Sequence, residues 1–267
     1  MGRPPVLLVV SHKLELQPTQ QIFINVDMIM KGNNRIKAVF FDAADTLFRI
    51  KGGVGNMYWS VARKYGANST PEQIEKAFIK AFKSAPPLAF ADVSTDDRKV
   101  YEKKWWYEVV RKVFSEVGMF AKFDDYFDEL FETFRSKAWE LFPETKDVLT
   151  VLKGKGLILG IISNFDSRIY DVCIDLGIIE YFDSFVISSE VGSAKPSPEI
   201  FSIALERNEV HPFHCIHIGD SLDYDFYGAR SAGIRALLID KGGRCKDRGD
   251  VDRVENLNQI ISIIDND

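Results

Sequence analysis

Four short apolar runs in this chain each give way to residues able to do chemistry. Ala38-Val39-Phe40-Phe41 runs into Asp42, Leu157 to Ile162 into Ser163-Asn164, and Cys215 to Ile218 into Gly219-Asp220, while Phe185 to Ile187 precedes the Lys195-Pro196 turn. Continuous apolar runs of this length, separated by stretches with helical periodicity, are the pattern of strands buried on both faces of a parallel sheet. In such a sheet the carboxyl ends of the strands converge on one site. The pattern predicts an α/β, doubly wound, Rossmann-like core with a site made of acids, a lysine and hydroxyl or amide donors.

The alternation is interrupted once. From Met57 to about Trp139 the chain turns to long charged segments with apolar residues at helical spacing. Pro71 after Ser69-Thr70 marks a helix start, and Pro86-Pro87 ends the next segment. Between Asp97 and Gly118, the residues Val100, Trp106, Val110, Val113 and Val117 follow one helix face. This block reads as a helical cap, residues 55–139, inserted into a core made of 36–54 and 140–267. Trp105 and Trp106 are neighbours about 100° apart on that helix, so at most one faces the cap interior squarely, and packing is the simpler role for both.

Residues 1–35 read as an N-terminal extension. Val6 to Val10 is too short for a secretory apolar core or a membrane span, and Arg3 and Lys13 with one serine ahead of Glu15 make a poor transit peptide, so no targeting role is expected. Elsewhere, 34 basic against 39 acidic residues leave a net charge of -5, with the basic residues scattered, which argues against nucleic acid as a partner. No membrane association is expected either. Cys173, Cys215 and Cys245 lie far apart without a C-x-x-C pair, so neither a disulfide framework nor a zinc site is indicated, and a cytoplasmic location is the default. His211, His214 and His217 are close in sequence, but in an extended run positions 214 and 217 point to opposite faces, which opposes a shared metal.

The strand-end residues suit phosphoryl chemistry. A carboxylate such as Asp42 can attack phosphorus and split one hard displacement into two easier ones. Asp220 and Asp225 would add hard oxygens beside it, a set suited to Mg²⁺, with Asp225 either a ligand or an orienter of metal-bound water. Lys195 would oppose the anionic charge, while Ser163 and Asn164 would donate to phosphoryl oxygens. Ser163-Asn164 could equally cap a helix over Arg168 to Leu176, and Asp223 reads as solvent-facing.

Phe-Phe-Asp42-Ala-Ala-Asp-Thr46-Leu, Ile-Ile-Ser163-Asn164, Ala-Lys195-Pro-Ser-Pro-Glu-Ile-Phe and His-Ile-Gly-Asp220-Ser-Leu-Asp-Tyr-Asp225 resemble, in order, the motifs of the haloacid dehalogenase superfamily. The resemblance covers about residues 36 to 240 and includes the family's small helical cap. Lys104-Trp105-Trp106, Ser163-Asn164-Phe165-Asp166 and the Asp-Thr end of the first motif look closest to the haloacid dehalogenase-like hydrolase domain-containing protein 3 group. The resemblance implies a Mg²⁺-dependent hydrolase acting on a small phosphorylated substrate. Asp42 would be the nucleophile, Ser163 and Lys195 its catalytic partners, and Ser163, Asn164 and Lys195 the phosphate ligands. Asp42, the Ala44 carbonyl, Asp220 and Asp225 would hold the metal, and Thr46 would brace the first loop.

Ala44 departs from that family's phosphatase pattern, which places a second Asp there as acid and base. Its loss removes assistance of roughly 10²- to 10⁴-fold and should slow esters with poor leaving groups most. Asp45, where the family usually has Gly, is either a substitute acid or a hydrogen-bonding partner of its own loop. Two other readings stay open: a non-catalytic phosphate- or partner-binding protein, and a phosphonate or C-halide hydrolase. A phosphonate hydrolase of this family would need a cap lysine such as Lys51 or Lys64, whereas dehalogenases carry an aromatic residue at the Ala44 position.

Overall fold

In a computed structural model, which describes residues 35–91 and 93–266, the first apolar run forms strand β1, Ala38–Phe41, at the centre of a parallel sheet. The remaining strands are β2 Phe48–Ile50, β3 Trp139–Leu141, β4 Ile158–Ser163, β5 Ser184–Ile187, β6 Cys215–Gly219, β7 Arg235–Ile239 and β8 Arg253–Val254. The main sheet has six strands in the order β5-β4-β1-β6-β7-β8, all parallel. The chain leaves β1 for β4 and β5 on one side and later returns to β6 on the other, so the order reverses at β1. Ligands of open α/β sheets bind at such a reversal, outside the strands' carboxyl ends.

Alternation along the strands feeds two apolar layers. Val39, Phe41, Leu159, Ile161, Ile216 and Ile218 join one, against helices Thr145–Gly154, Ile169–Asp175 and Asn258–Asp265. Ala38, Phe40, Ile162, Cys215, Ala236 and Leu238 join the other, against helix Pro198–Arg207 and the turns around Phe226 and Ala229. A sheet covered on both faces explains why its strands are apolar throughout and do not alternate with polar residues.

Between β2 and β3, which pair antiparallel, lie helices α1 Val54–Ala62, α2 Pro71–Lys83, α3 Thr95–Val117 and α4 Phe123–Thr133. Thr70 starts α2 with a reciprocal capping box to Gln73, followed by Pro71 at the first helical position, as the sequence suggested. A third apolar cluster, including Tyr58, Ile74, Val113, Phe114 and Tyr126, holds these helices together. Residues 36–267 form one compact unit. The extension read from 1–35 lies, but for Arg35, outside the described residues.

The α3 face differs from the expected one. Val100 is 67% exposed, while Glu102, Val109, Val110, Val113 and Phe114 are buried. Val100 lies about 200° round the helix from Glu102, so the two cannot share a face. The buried stripe starts on Glu102 because its carboxylate is satisfied by the core: it accepts from Ser167 N at 3.0 Å, Ser167 Oγ at 2.5 Å and Ser189 Oγ at 2.7 Å. A buried acid is tolerated when hydrogen-bonded in this way.

Candidate active site

Parallel register brings the chemistry-bearing residues to one level. Phe41 pairs with Ile161 on β4 and with Ile218 on β6, so Asp42, Ser163 and Asp220 all emerge at the same edge. Asp42 N donates to Ile218 O at 2.8 Å, the last rung before the loop. The turn that follows closes through backbone bonds from Leu47 N to Ala43 O and from Asp45 N to Phe48 O. Thr46 is fully buried in this loop and its hydroxyl finds no partner among the described residues, so whatever bracing it gives is by packing, beside these main-chain bonds.

Asp42, 8% exposed, is held by two donors on one oxygen: Ser163 Oγ at 3.0 Å and Lys195 Nζ at 2.6 Å both reach Oδ1. Lys195 Nζ also donates to Asp225 Oδ1 at 2.5 Å. Asn164 clamps the lysine's main chain, donating from Nδ2 to Lys195 O at 2.9 Å and accepting from Lys195 N at 2.8 Å on Oδ1. Its Oδ1 and one Nδ2 hydrogen are thus committed to placing Lys195. The second Nδ2 hydrogen makes no hydrogen bond among the described residues and is what remains for the donation to phosphate expected of Asn164.

Asp225 sits on a wide, π-helical turn, Leu222–Tyr227, that turns its carboxylate back beneath β6. There Oδ2 accepts from Ser221 N at 3.0 Å, and Oδ1 lies 3.0 Å from His217 Nε2. Gly219 is required at this point, because a Cβ on it would collide with the Asp225 carboxyl group. The sequence sets His217 aside as a shared metal ligand and gives it no other role; its place on β6 two residues before Gly219, on the same face, is the signal that it belongs beside the cluster. His214 belongs to a separate turn, Pro212–His214, ahead of the strand. Asp223 is exposed. The helix considered for Ser163-Asn164 begins at Ile169, and Asp166, not Ser163 or Asn164, accepts from the Arg168 amide at its start.

The cluster carries more negative than positive charge. Burial raises the pKa of Asp42 against the pull of Lys195. Burial also raises Asp220 to about 7, with Asp42 and Asp225 adding to it. Burial would raise Asp225 too, but Lys195 and His217 hold it far below the usual carboxylate range. Lys195 is held above its ordinary value because its two acids outweigh desolvation, and burial keeps His217 neutral. Asp42, Asp220 and Asp225 each offer an oxygen within 4.8 Å of the others. Three hard oxygens with one ammonium between them fit a divalent cation such as Mg²⁺.

The cap covers this floor. Glu102 and, one turn on, Trp106 reach from α3 to the loop after Ser163, with Trp106 Nε1 donating to Asp166 Oδ2 at 2.6 Å. Asp166 also takes Arg168 Nε and Nη2 at 2.8 and 2.7 Å, and the guanidinium stacks 3.9 Å from the centre of the Phe131 ring. Trp106 is thus a cleft residue, whereas Trp105 donates to Pro86 O at the surface. Ala44 and Asp45 face the same cleft. Asp45 stands in the left-handed region at φ 59°, where Asp is tolerated and Gly is easiest, and partial desolvation raises its pKa. Its carboxylate makes no hydrogen bond within its own loop. Lys51 and Lys64 turn their ammonium groups onto Lys137 O and Glu129, and no lysine lines the cleft among the described residues.

A doubly wound sheet with an inserted helical cap, and acids gathered at the strand ends, defines a class of α/β hydrolases. The haloacid dehalogenase-like hydrolase model matches residues 36–233, and the chain belongs to that family. It is 32% identical over 211 residues to haloacid dehalogenase-like hydrolase domain-containing protein 3 of Danio rerio, covering 77% of this chain and 86% of the relative. It is 26% identical over 224 residues to the rhythmically expressed gene 2 protein of Drosophila melanogaster, covering 79% and 85%. Among solved structures, a HAD phosphatase from Thermococcus onnurineus aligns with TM-score 0.59 and 25% identity, over 86% of this chain and 98% of that one. The L-2-haloacid dehalogenase of Xanthobacter autotrophicus, at 16% identity, TM-score 0.64 and coverage of 86% and 98%, shares the fold. Among the described residues no helix is long and apolar enough to cross a membrane.

Proposed function

We propose that the chain is a Mg²⁺-dependent phosphatase that works through an aspartyl-phosphate on Asp42. One observation carries the reading: Ser163 Oγ and Lys195 Nζ both hold Asp42 by Oδ1, which leaves Oδ2 unblocked by either. Oδ2 attacks phosphorus, the bond to the leaving oxygen breaks, and water then displaces phosphate from Asp42, restoring the carboxylate. Lys195 and Ser163 are placed to take up charge on the phosphoryl oxygens as the P–O bond breaks. Mg²⁺ on Asp42, Asp220, Asp225 and the Ala44 carbonyl would neutralise the phosphoryl group.

With Ala44 where the family's acid stands, the departing oxygen takes its proton from water or from Asp45. Rates should therefore depend strongly on leaving-group acidity, and the acyl phosphate should be long-lived. The phosphonate alternative lacks a cap lysine in the cleft, and the halide alternative lacks an aromatic residue at position 44. The test is Mg²⁺-dependent hydrolysis of 4-nitrophenyl phosphate by the purified chain beside Asp42→Asn. Turnover abolished in the variant supports the reading. Mg²⁺ binding without turnover in either protein would leave the non-catalytic binding reading in its place.

A further inference from the structure

The walls of the cleft specify a substrate body that is very different from its floor. A cavity of ≈ 240 Å³ opens over Ala44, Asp45 and Asn164. Its walls come from every cap helix, with Tyr58 on α1, Phe78 and Phe82 on α2, Trp106 and Val110 on α3, and Phe131 on α4. Leu130, Phe134 and Trp139 continue the same apolar surface. Among the polar groups of these walls the Trp106 and Trp139 indoles are engaged, while the Asp45 carboxylate at the mouth, the Tyr58 hydroxyl and the second Nδ2 hydrogen of Asn164 make no hydrogen bond among the described residues, so the lining is apolar but for these three. Asn164 holds the Lys195 main chain, and Arg168 is neutralised by a two-pronged bond to Asp166 and donates from Nη1 to Phe131 O.

A sugar or polyol phosphate would bring several hydroxyls into this space. Each one left without a partner weakens binding by about tenfold or more. An aryl or branched-alkyl body would instead be surrounded by ring faces and methyl groups. The volume sets the size: it exceeds the roughly 150 Å³ that accepts benzene in an engineered apolar cavity and falls short of the roughly 300 Å³ at which drug-sized pockets begin.

We propose that the cap cavity selects phosphate esters whose organic part is a single compact aromatic ring or an apolar group of similar size, and discriminates against sugar and polyol phosphates. The proposal rests on the phosphatase reading for its chemistry, since the cavity opens on the Asp42 loop, but the shape of the cavity can be tested without turnover. Tyr58 supplies the one hydroxyl in the walls with no hydrogen-bond partner among the described residues, a place for a single polar ring substituent.

The experiment pairs binding with turnover on the whole chain in Mg²⁺. Calorimetry compares phenylphosphonate with methylphosphonate, two non-hydrolysable probes with the same head group. Burying the ring should tighten binding about 10- to 100-fold. In parallel, kcat/KM for phenyl phosphate is compared with that for glycerol 3-phosphate and glucose 6-phosphate, with acetyl phosphate as a measure of the phosphoryl chemistry alone. Val54→Phe, which puts a ring into the cavity from the start of α1, should bring the two phosphonate affinities together.

Equal phosphonate affinities in the native chain, or a preference for the sugar or polyol ester, would overturn the proposal even while acetyl phosphate turnover upheld the phosphatase reading. Selective phenylphosphonate binding with no turnover of any ester would uphold the cavity assignment and sink the phosphatase reading instead. Should Val54→Phe fail to fold, the native comparison decides alone.

Discussion

Two clusters of buried charge lie at the two ends of the loop after β4, and they are balanced differently. Asp166 and Arg168 form a closed pair: both carboxylate oxygens and three guanidinium nitrogens are bonded, and Arg168 outweighs burial to hold Asp166 below its ordinary pKa. The Asp42, Asp220 and Asp225 cluster has one ammonium for three acids, and burial with mutual repulsion drives Asp220 to about 7. A buried pair that satisfies itself has no need of a ligand. A buried cluster with surplus negative charge is completed by a cation, and perturbed acids in a cleft are where chemistry is found.

Removing each cluster's cation should break that comparison most sharply. Arg168→Met leaves Asp166 buried without its partner and should cost about 3–5 kcal/mol in urea unfolding, whether or not Mg²⁺ is present. Lys195→Met should lower kcat at least a hundredfold, as loss of a transition-state donor does, yet its stability loss in EDTA should be largely recovered by Mg²⁺. Equal Mg²⁺ rescue of both variants would show that the clusters are not distinct in kind.

Mg²⁺ itself should have the next largest effect. At a hundredfold excess over Kd it should stabilise the native chain by about 2.7 kcal/mol, a rise in Tm of about 5 to 10 °C over EDTA. Asp220→Asn should shrink that rise, whereas a substitution at Asp166 should not.

Asp220 and Asp166, one from each cluster, should also respond oppositely to pH in EDTA. Folded Asp220 keeps its proton up to about 7, against an ordinary value of 3.8, so the folded state holds a proton that the unfolded chain has shed. Its contribution is present below pH 4, falls as pH rises from about 4 to 7 and is then lost. Asp166 is shifted downward, so its contribution is present above pH 4 and is lost as pH falls further. Denaturation curves of Asp220→Asn should show a shallower decline between pH 4 and 7, since Asp42 and Asp45, which burial also raises, remain. An unchanged decline would place its origin elsewhere. A small effect should come from Trp106→Phe, which keeps a ring in the cavity and removes one bond to the Asp166 carboxylate, for about 1.5–2 kcal/mol.

The α/β class and the order of the strands' chemistry could be read from sequence alone, and the stretch with helical spacing is where the chain forms the helices between β2 and β3. Apolar runs of strand length and helical spacing are local patterns, and a parallel sheet turns such runs into a shared edge without further instruction. Asp42, Ser163 and Asp220 stand at those strand ends, and the resemblance to the family's four ordered motifs added Lys195 and Asp225 and the roles of all five; the register of β1 with β4 and β6 sets the three strand ends level.

Tertiary structure alone decided the rest, because the deciding partners are distant in sequence. Glu102 is buried and Val100 exposed because Ser167 and Ser189 satisfy the acid, a contact that no helical pattern contains. Asn164 spends its amide oxygen and one of its two Nδ2 hydrogens on Lys195, thirty-one residues away, so its position makes it a clamp, a role its residue type does not suggest. His217 lies against Asp225 only because the π-helical turn brings that acid back under β6. The apolar cavity is likewise a product of assembly: each cap helix contributes one or two rings, and only their packing over Ala44 makes a space of a definite size.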